Sequence, residues 1–183
     1  INPSLYRSFL APAAGVTCVI DSLAEFVPSH VPVRTWWPGC EEAVFSMPDR
    51  PDPTAKSRFG LNASMTVLAY PGNCHASNVC DIESLYEAVA ITNRKRIEVT
   101  LLRCGVDSAK PRVSGDLESL GIRHLGDIAH EKIVELVSAA DILVQPGRPG
   151  PFNDYRFPSK LPMFLASARP VITGRTNIGQ HLA

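Results

Sequence analysis

A Rossmann-like α/β domain with a doubly wound parallel sheet is what this sequence predicts, and three observations carry the prediction. From Thr66 onward, short β-rich runs alternate with amphipathic stretches. That alternation is the βαβ pattern, which implies parallel strands joined by right-handed crossovers. The run Asp141-Ile142-Leu143-Val144 is nearly all apolar, as expected of a strand covered on both faces. Four of the five strand candidates in this half have glycine close to their ends, where a parallel sheet receives its ligands.

Taken in order, Val16–Ile20 reads as a strand, followed by a short helix from Leu23 to Phe26 and a second strand, Val33–Trp37, ended by Pro38-Gly39. The Pro- and Asp-rich stretch MPDRPDPT then reads as a linker. Thr66–Tyr70 is a strand closed by the turn cluster Pro71-Gly72-Asn73. Asp81 offers an N-cap to a helix whose apolar residues Ile82, Leu85, Tyr86, Val89 and Ala90 recur at helical spacing. Arg96–Arg103 is the next strand. Leu117–Leu120 is a short helix ended by Gly121, and Ile122–Leu125 a short strand. Ile133, Leu136, Val137 and Ala140 mark another helix, which leads into the strand at Asp141–Val144. Lys160–Ala166 is a helix and Pro170–Thr173 the last strand, after which TNIGQHLA stops where a helix should begin.

Composition narrows the function classes. The chain has 183 residues, 45% hydrophobic and 20% charged, a globular balance for one domain with an appendage. Eighteen basic and eighteen acidic side chains cancel, so no overall field favours nucleic acid or anionic lipid. An anionic ligand must be held locally. Five scattered cysteines contain no CxxC pair, which argues against a disulfide framework and fits a reducing, cytoplasmic setting. Cys74-His75 with Cys80 matches no standard zinc spacing, so these read as ordinary thiols and no metal is expected. Asn62-Ala63-Ser64 is a chance sequon in such a setting. No run reaches the ~20 apolar residues of a membrane span. The chain opens on Ile, without the basic flank of a signal peptide, and is expected to be a piece of a longer protein.

The ligand-facing ends are Gly72-Asn73, Arg103-Cys104-Gly105, Gly126-Asp127, the long loop Gln145–Asp154, and Gly174–Asn177. Exposed N–H groups at glycine suit phosphate oxygens. The fourth loop continues through Arg148, Asn153, Asp154, Tyr155, Arg156 and Lys160 into a helix, a plausible anion and polyol site. Each residue also has an ordinary reading: the glycines as turns, Arg103 as a solvated cap, His75 and His124 as surface or hydrogen-bonded structural groups. Neither G-x-G-x-x-G nor GxxxxGK[ST] is present.

From the fourth strand of this half, ADILVQPGRPGPFNDYRFPSKLPMFLASARPVITGRTNIGQHL resembles the donor-binding region of family 4 retaining glycosyltransferases, which have the GT-B fold. The segments YPGN, LLRCG and HLGDI fall where that family has its earlier strand ends, and VTCVIDSLAEFVP with VPVRTWWPG resembles the end of the acceptor domain and the interdomain linker. The resemblance implies residues 1–60 as that end and linker, and 61–183 as the C-terminal donor domain, truncated at its end. It implies a hexosyltransferase that binds a UDP- or GDP-linked sugar, uses no separate cofactor, and meets a glycan or lipid-linked acceptor through the absent N-terminal domain. Neither nucleic acid nor membrane is expected as a partner of this part, and the fragment alone is expected to be inactive.

By position, Gly72 and Asn73 fall near the donor diphosphate, Arg103 reaches the phosphates or base, and backbone at Leu125 and Gly126 flanks the base. Lys160, at a helix N-terminus, meets a phosphate by charge and dipole. The family carries two glutamates seven residues apart, one near the sugar and one on the ribose. Here those positions hold Tyr155 and Met163, with Asp154 adjacent to the first, so Asp154 and Tyr155 are the catalytic candidates. Met163 offers a ribose no useful acceptor, and Ala168 replaces a glycine. Two other readings therefore stand beside the transferase: a non-catalytic GT-B domain that binds a nucleotide or a partner subunit, and a GT-B sugar epimerase. Met163 favours the first of these, whereas FNDYRFPSKLP favours the transferase.

Overall fold

The computed structural model describes the chain apart from residues 1, 46, 49 and 183 and the side chains of Phe45 and His181. Asp49 of the expected linker and the terminal Ile1 and Ala183 therefore lie outside the described residues. Along the chain come α1 (Pro3–Leu10), β1 (Val16–Cys18), a 3-10 turn (Asp21–Phe26), β2 (Val33–Thr35), α2 (Glu42–Phe45) and α3 (Pro53–Arg58). Then follow β3 (Thr66–Pro71), α4 (Val79–Arg94), β4 (Val99–Cys104), a 3-10 turn (Glu118–Leu120), β5 (Ile122–His124), α5 (His130–Ala139) and β6 (Ile142–Gln145). The chain finishes through α6 (Pro151–Asp154), α7 (Leu161–Ala166), β7 (Val171–Thr173) and α8 (Asn177–His181).

β3 to β7 form one five-stranded parallel sheet in the order β5-β4-β3-β6-β7. The chain moves outward from β3 to β5 and then crosses back to lay β6 on the other side of β3. The point between β3 and β6 is thus the topological switch, where a doubly wound sheet opens a crevice beyond its carboxyl ends. Side chains alternate between two cores, as the strand pleat requires. Val67, Ala69, Leu102 and Leu143 pack under α5 and α7, while Tyr70, Leu101 and Val144 pack under α4 with Ile82 and Val89. A fully buried aliphatic side chain contributes roughly 1.5–3 kcal/mol, so the two faces together dominate stability.

Three local expectations are corrected. RIEVTLLR does not become strand until Val99, because Arg96 has φ 60° and Asn93 Oδ1 accepts the Val99 N–H at 2.9 Å, holding the preceding residues in a turn. Asp81 is not an N-cap: α4 starts at Val79, and the Asp81 carboxylate is buried, accepting from the Asn153 side chain at 3.0 Å and the Arg148 N–H at 3.2 Å. The expected linker carries α3, started by Asp52, whose side chain accepts the Thr54 N–H at 2.8 Å, with Pro53 in the first turn. From α3 the buried Lys56 reaches the Asp141 carboxylate at 2.8 Å, and that carboxylate accepts the Val67 N–H at 2.7 Å.

The front segment builds its own small parallel pair, β1 with β2, and packs on the loop after β6. Ile20 is buried with Leu161 and Ile178. Phe26 stacks tilted on Tyr155 at 5.4 Å, and Trp37 on Phe157 at 5.5 Å.

A candidate ligand-binding cleft

At the carboxyl ends of β3, β4 and β5 lies a cavity of about 600 Å³, within the size range of small-molecule sites. Its floor is Gly72, Asn73, Cys104 and Gly105; Asp127 and His130 form one side, and Ser159, Lys160 and Met163 the other. The front segment closes it with Cys40, Glu41 and Val44, and Glu41 contacts the His130 ring.

The floor is tight because two backbones meet there. Gly105 has φ 123°, and a Cβ on it would come within 2.7 Å of the Gly72 carbonyl carbon. The loops are tied by Gly72 N–H to Cys104 O at 2.8 Å and by Gly105 N–H to Gly126 O at 2.7 Å. Asn73 Oδ1 accepts the Val106 N–H at 2.9 Å. Gly72 and Asn73 thus stand in the cleft.

Arg103 is where sequence and structure part. It was expected to reach toward a ligand, or else to sit solvated at the strand end; it is fully buried beneath the floor. Its two terminal nitrogens bind the Asp107 carboxylate side by side, one of them also donating to Tyr86 Oη at 2.9 Å and the other to Gly72 O at 3.4 Å. Burial disfavours the Arg103 charge, but the hydrogen bonds with Asp107 and Tyr86 more than reverse this and hold it above its ordinary value. Asp107 is likewise pushed up by burial and pulled below its ordinary range by Arg103. His124 joins this network through Gly105 O at 3.1 Å and Asp107 at 3.8 Å, the structural role foreseen as its ordinary reading.

Leu125 and Gly126 do not line the cavity. Leu125 packs into the core and donates its N–H to Arg103 O at 2.8 Å, and the next residue, Asp127, takes the cleft position. Asp154 and Tyr155 are also elsewhere, because the front segment and α8 occupy them. The Asp154 carboxylate accepts the Gly150 N–H at 2.9 Å and the Asn177 N–H at 3.3 Å, while its carbonyl accepts from Ser22 Oγ at 3.0 Å. The Tyr155 hydroxyl is hydrogen-bonded to Glu25, which raises its pKa. Sequence reasoning missed Glu41 and His130, since nothing local marks a side chain that enters a site from another segment.

Lys160 and Met163 do line the cavity. Lys160 precedes α7, a helix of only six residues, so its own charge outweighs any dipole. Its ammonium makes no hydrogen bond among the described residues and lies 5.3 Å from the centroid of the Tyr70 ring. Burial, aided by the nearby Arg156 charge, pushes it down to about 8. Met163 brings a thioether from the same helix. Among the described residues no cluster of three or more His, Cys, Asp or Glu side chains could hold a metal ion, and no helix is long and apolar enough to cross a membrane.

No protein-family model matches the sequence, and no curated protein matches it. Solved structures do. Sucrose-phosphate synthase from Thermosynechococcus elongatus aligns with a TM-score of 0.65 at 19% identity, over 98% of this chain and 45% of that one. WaaG, a glycosyltransferase involved in lipopolysaccharide biosynthesis, aligns with a TM-score of 0.67 at 19% identity, over 91% of this chain and 46% of that one. A glycosyltransferase from Rickettsia africae ESF-5 aligns with a TM-score of 0.61 at 15% identity, over 95% of this chain and 48% of that one. The chain spans about half the length of each. At such identities the likeness establishes architecture: this chain has the fold of one Rossmann-like half of a GT-B glycosyltransferase.

Proposed function

We propose that this chain is the donor-binding half of a retaining glycosyltransferase of the family 4 kind, taking a UDP- or GDP-linked hexose. The observation that carries this is the cleft beyond β3–β5, where Lys160 brings a desolvated ammonium with no protein acceptor to a glycine-lined floor. A largely desolvated cation with no hydrogen-bonded acceptor favours an anion, and a cavity of about 600 Å³ holds a nucleotide-sized one. In the proposed reaction the bond between the anomeric carbon and the diphosphate oxygen breaks and its electron pair leaves with the diphosphate. The acceptor oxygen bonds to the anomeric carbon on the same face and passes its proton to the departing diphosphate oxygen. This half serves by placing the donor and stabilising the departing charge, with Lys160 on the diphosphate and the Gly72–Asn73 and Gly105 loops against it. The acceptor, a glycan or a lipid-linked sugar, binds a second half, so the fragment alone does not turn over.

One observation favours a second reading, a nucleotide-binding domain without catalysis: Met163 lines the cavity where a ribose needs an acceptor. Calorimetric titration with UDP, GDP and their hexose conjugates separates the two. A donor half binds one nucleotide and its sugar, and Lys160→Ala weakens both at least tenfold. Silence from the native chain with binding gained by Met163→Glu gives the non-catalytic reading precedence; binding indifferent to Lys160 removes the basis of the proposal.

A further inference from the structure

Among the described residues, three buried side-chain atoms lack a hydrogen-bond partner: Arg103 Nε, Gln145 Oε1 and Arg156 Nε. A buried polar atom in that position is strongly unfavourable, and folded proteins satisfy nearly all of them. Two of the three belong to residues that line one small cavity of about 10 Å³, together with Gly147, Asn153, Thr173 and Thr176. Gln145 closes β6 and Thr173 closes β7, so the cavity lies at the carboxyl ends of those strands. It shares no lining residue with the cleft.

Each of the two groups is held by its other contacts. Gln145 is buried, and its Nε2 donates to Pro146 O at 3.0 Å. That bond sets which end of the amide is the oxygen, so an acceptor is left over. Arg156 Nη2 donates to Asn153 Oδ1 at 2.8 Å, and its guanidinium carbon lies 4.6 Å from the centroid of the Phe152 ring. Asn153 is itself buried and anchored, donating to the Asp81 carboxylate at 3.0 Å and to Arg148 O at 2.9 Å. With the guanidinium plane fixed in this way, the Nε donor is left over. Burial also works against the Arg156 charge, which a further acceptor at Nε would offset.

The occupant must accept from Nε and donate to Oε1. A cation is opposed by the guanidinium, and an anion by the amide oxygen. Water does both, a cavity of this size admits about one water molecule, and Thr173 and Thr176 bring hydroxyl groups to the same lining. We infer that one buried water molecule bridges Gln145 Oε1 and Arg156 Nε as a fixed part of the loop between β6 and α7. The loop that carries Lys160 to the cleft is then closed near its base through solvent, which serves nearly as well as a direct hydrogen bond. The bridge does not rest on the donor-binding reading.

Nuclear magnetic resonance on the whole chain, with nitrogen-labelled arginine, reads the bridge directly. The expected result is a dipolar cross-peak between the Arg156 Nε–H and water, with the sign of a long-held water rather than of surface hydration. A rotating-frame measurement separates it from proton exchange. Gln145→Leu keeps an apolar side chain of similar bulk and removes the acceptor, so the cross-peak should be lost. A protected Arg156 Nε–H without a water cross-peak in the native chain overturns the bridge, as does a cross-peak of native strength in Gln145→Leu. If that variant fails to fold, a crystal structure of the native chain soaked in bromide decides. A single water peak within hydrogen-bond reach of both atoms supports the bridge. An anomalous bromide peak in the cavity, or a direct hydrogen bond between Gln145 and Arg156, overturns it.

Discussion

Two arginines flank the end of β3, and the protein treats them in opposite ways. Arg103, beneath the floor of the cleft, is fully buried and has a carboxylate, a phenol and a carbonyl arranged around its terminal nitrogens. Arg156, beside the cleft, has one amide and an aromatic face, and next to it an ammonium that repels it. Both sit close to the strand ends where a ligand would be sought. The difference teaches that burial of a cation identifies nothing until its counter-charge has been found. Where the fold supplies the anion the residue is architecture; where it does not, the residue is free to receive one.

The largest effect follows from the satisfied side. Arg103→Met removes the partner of a mostly buried carboxylate and unties the Gly72 carbonyl, and breaking such a pair costs about 3 kcal/mol. Chemical denaturation at pH 7 measures it. A loss below about 1 kcal/mol would put the Arg103 pair among ordinary surface pairs and erase the contrast. The same pair has an acid limb. Because Asp107 in the folded protein lies below its ordinary value, its contribution is fully present above that ordinary value, near pH 4, and is lost as pH falls through the folded value. Arg103→Met should therefore flatten the acid side of the stability profile.

The next effect belongs to the unsatisfied side and has the opposite sign. Lys160 titrates at about 8 in the folded protein against 10.5 ordinarily. Below pH 8 the folded state carries the whole desolvation cost; between pH 8 and 10.5 it releases a proton that the unfolded chain still holds, and the cost fades. Lys160→Met should therefore stabilise the ligand-free protein at pH 7, by on the order of 2 kcal/mol, with the gain shrinking toward pH 10. Comparing the variant with the native chain at each pH removes the opposing contribution of Cys74 and Cys104, whose thiols burial holds up. A variant less stable than native at pH 7 would mean that Lys160 has a counter-charge after all.

How much of this could be read in advance follows the same division. The sheet was legible because a two-sided strand such as β6 is apolar at successive turns of the pleat, through Ile142, Leu143 and Val144, and Gly121 ended its 3-10 turn where expected. Lys160, Gly72 and Asn73 were legible because a strand end and a following helix place them in the crevice by topology alone. Arg103 was misread because its partners lie four and seventeen residues away on different elements; an arginine inside a strand whose neighbours are apolar was the available warning. Asp154 and Tyr155 were misread because Ser22, Glu25 and Phe26 approach them from a segment whose docking leaves no local pattern. The two short helices at Glu42–Phe45 and Pro53–Arg58 were hidden by proline and aspartate, although Asp52-Pro53 is itself a helix-start signal.

The smallest effect is the sharpest test of the contrast, since it asks whether Arg156 and Lys160 share one electrostatic site. In the ligand-free protein Arg156→Gln forfeits a stacking contact of about 0.5–1 kcal/mol and relieves repulsion of the opposite sign, so stability should hardly move. The Lys160 titration should move instead. With the neighbouring charge gone, only burial holds it down, and its midpoint should rise from about 8 toward the ordinary lysine range. The pH dependence of amine labelling at Lys160, read by peptide mass analysis, follows that midpoint directly. A midpoint unchanged by Arg156→Gln would separate the two cations electrostatically, and each would then have to be explained on its own, as Arg103 was by the carboxylate beside it.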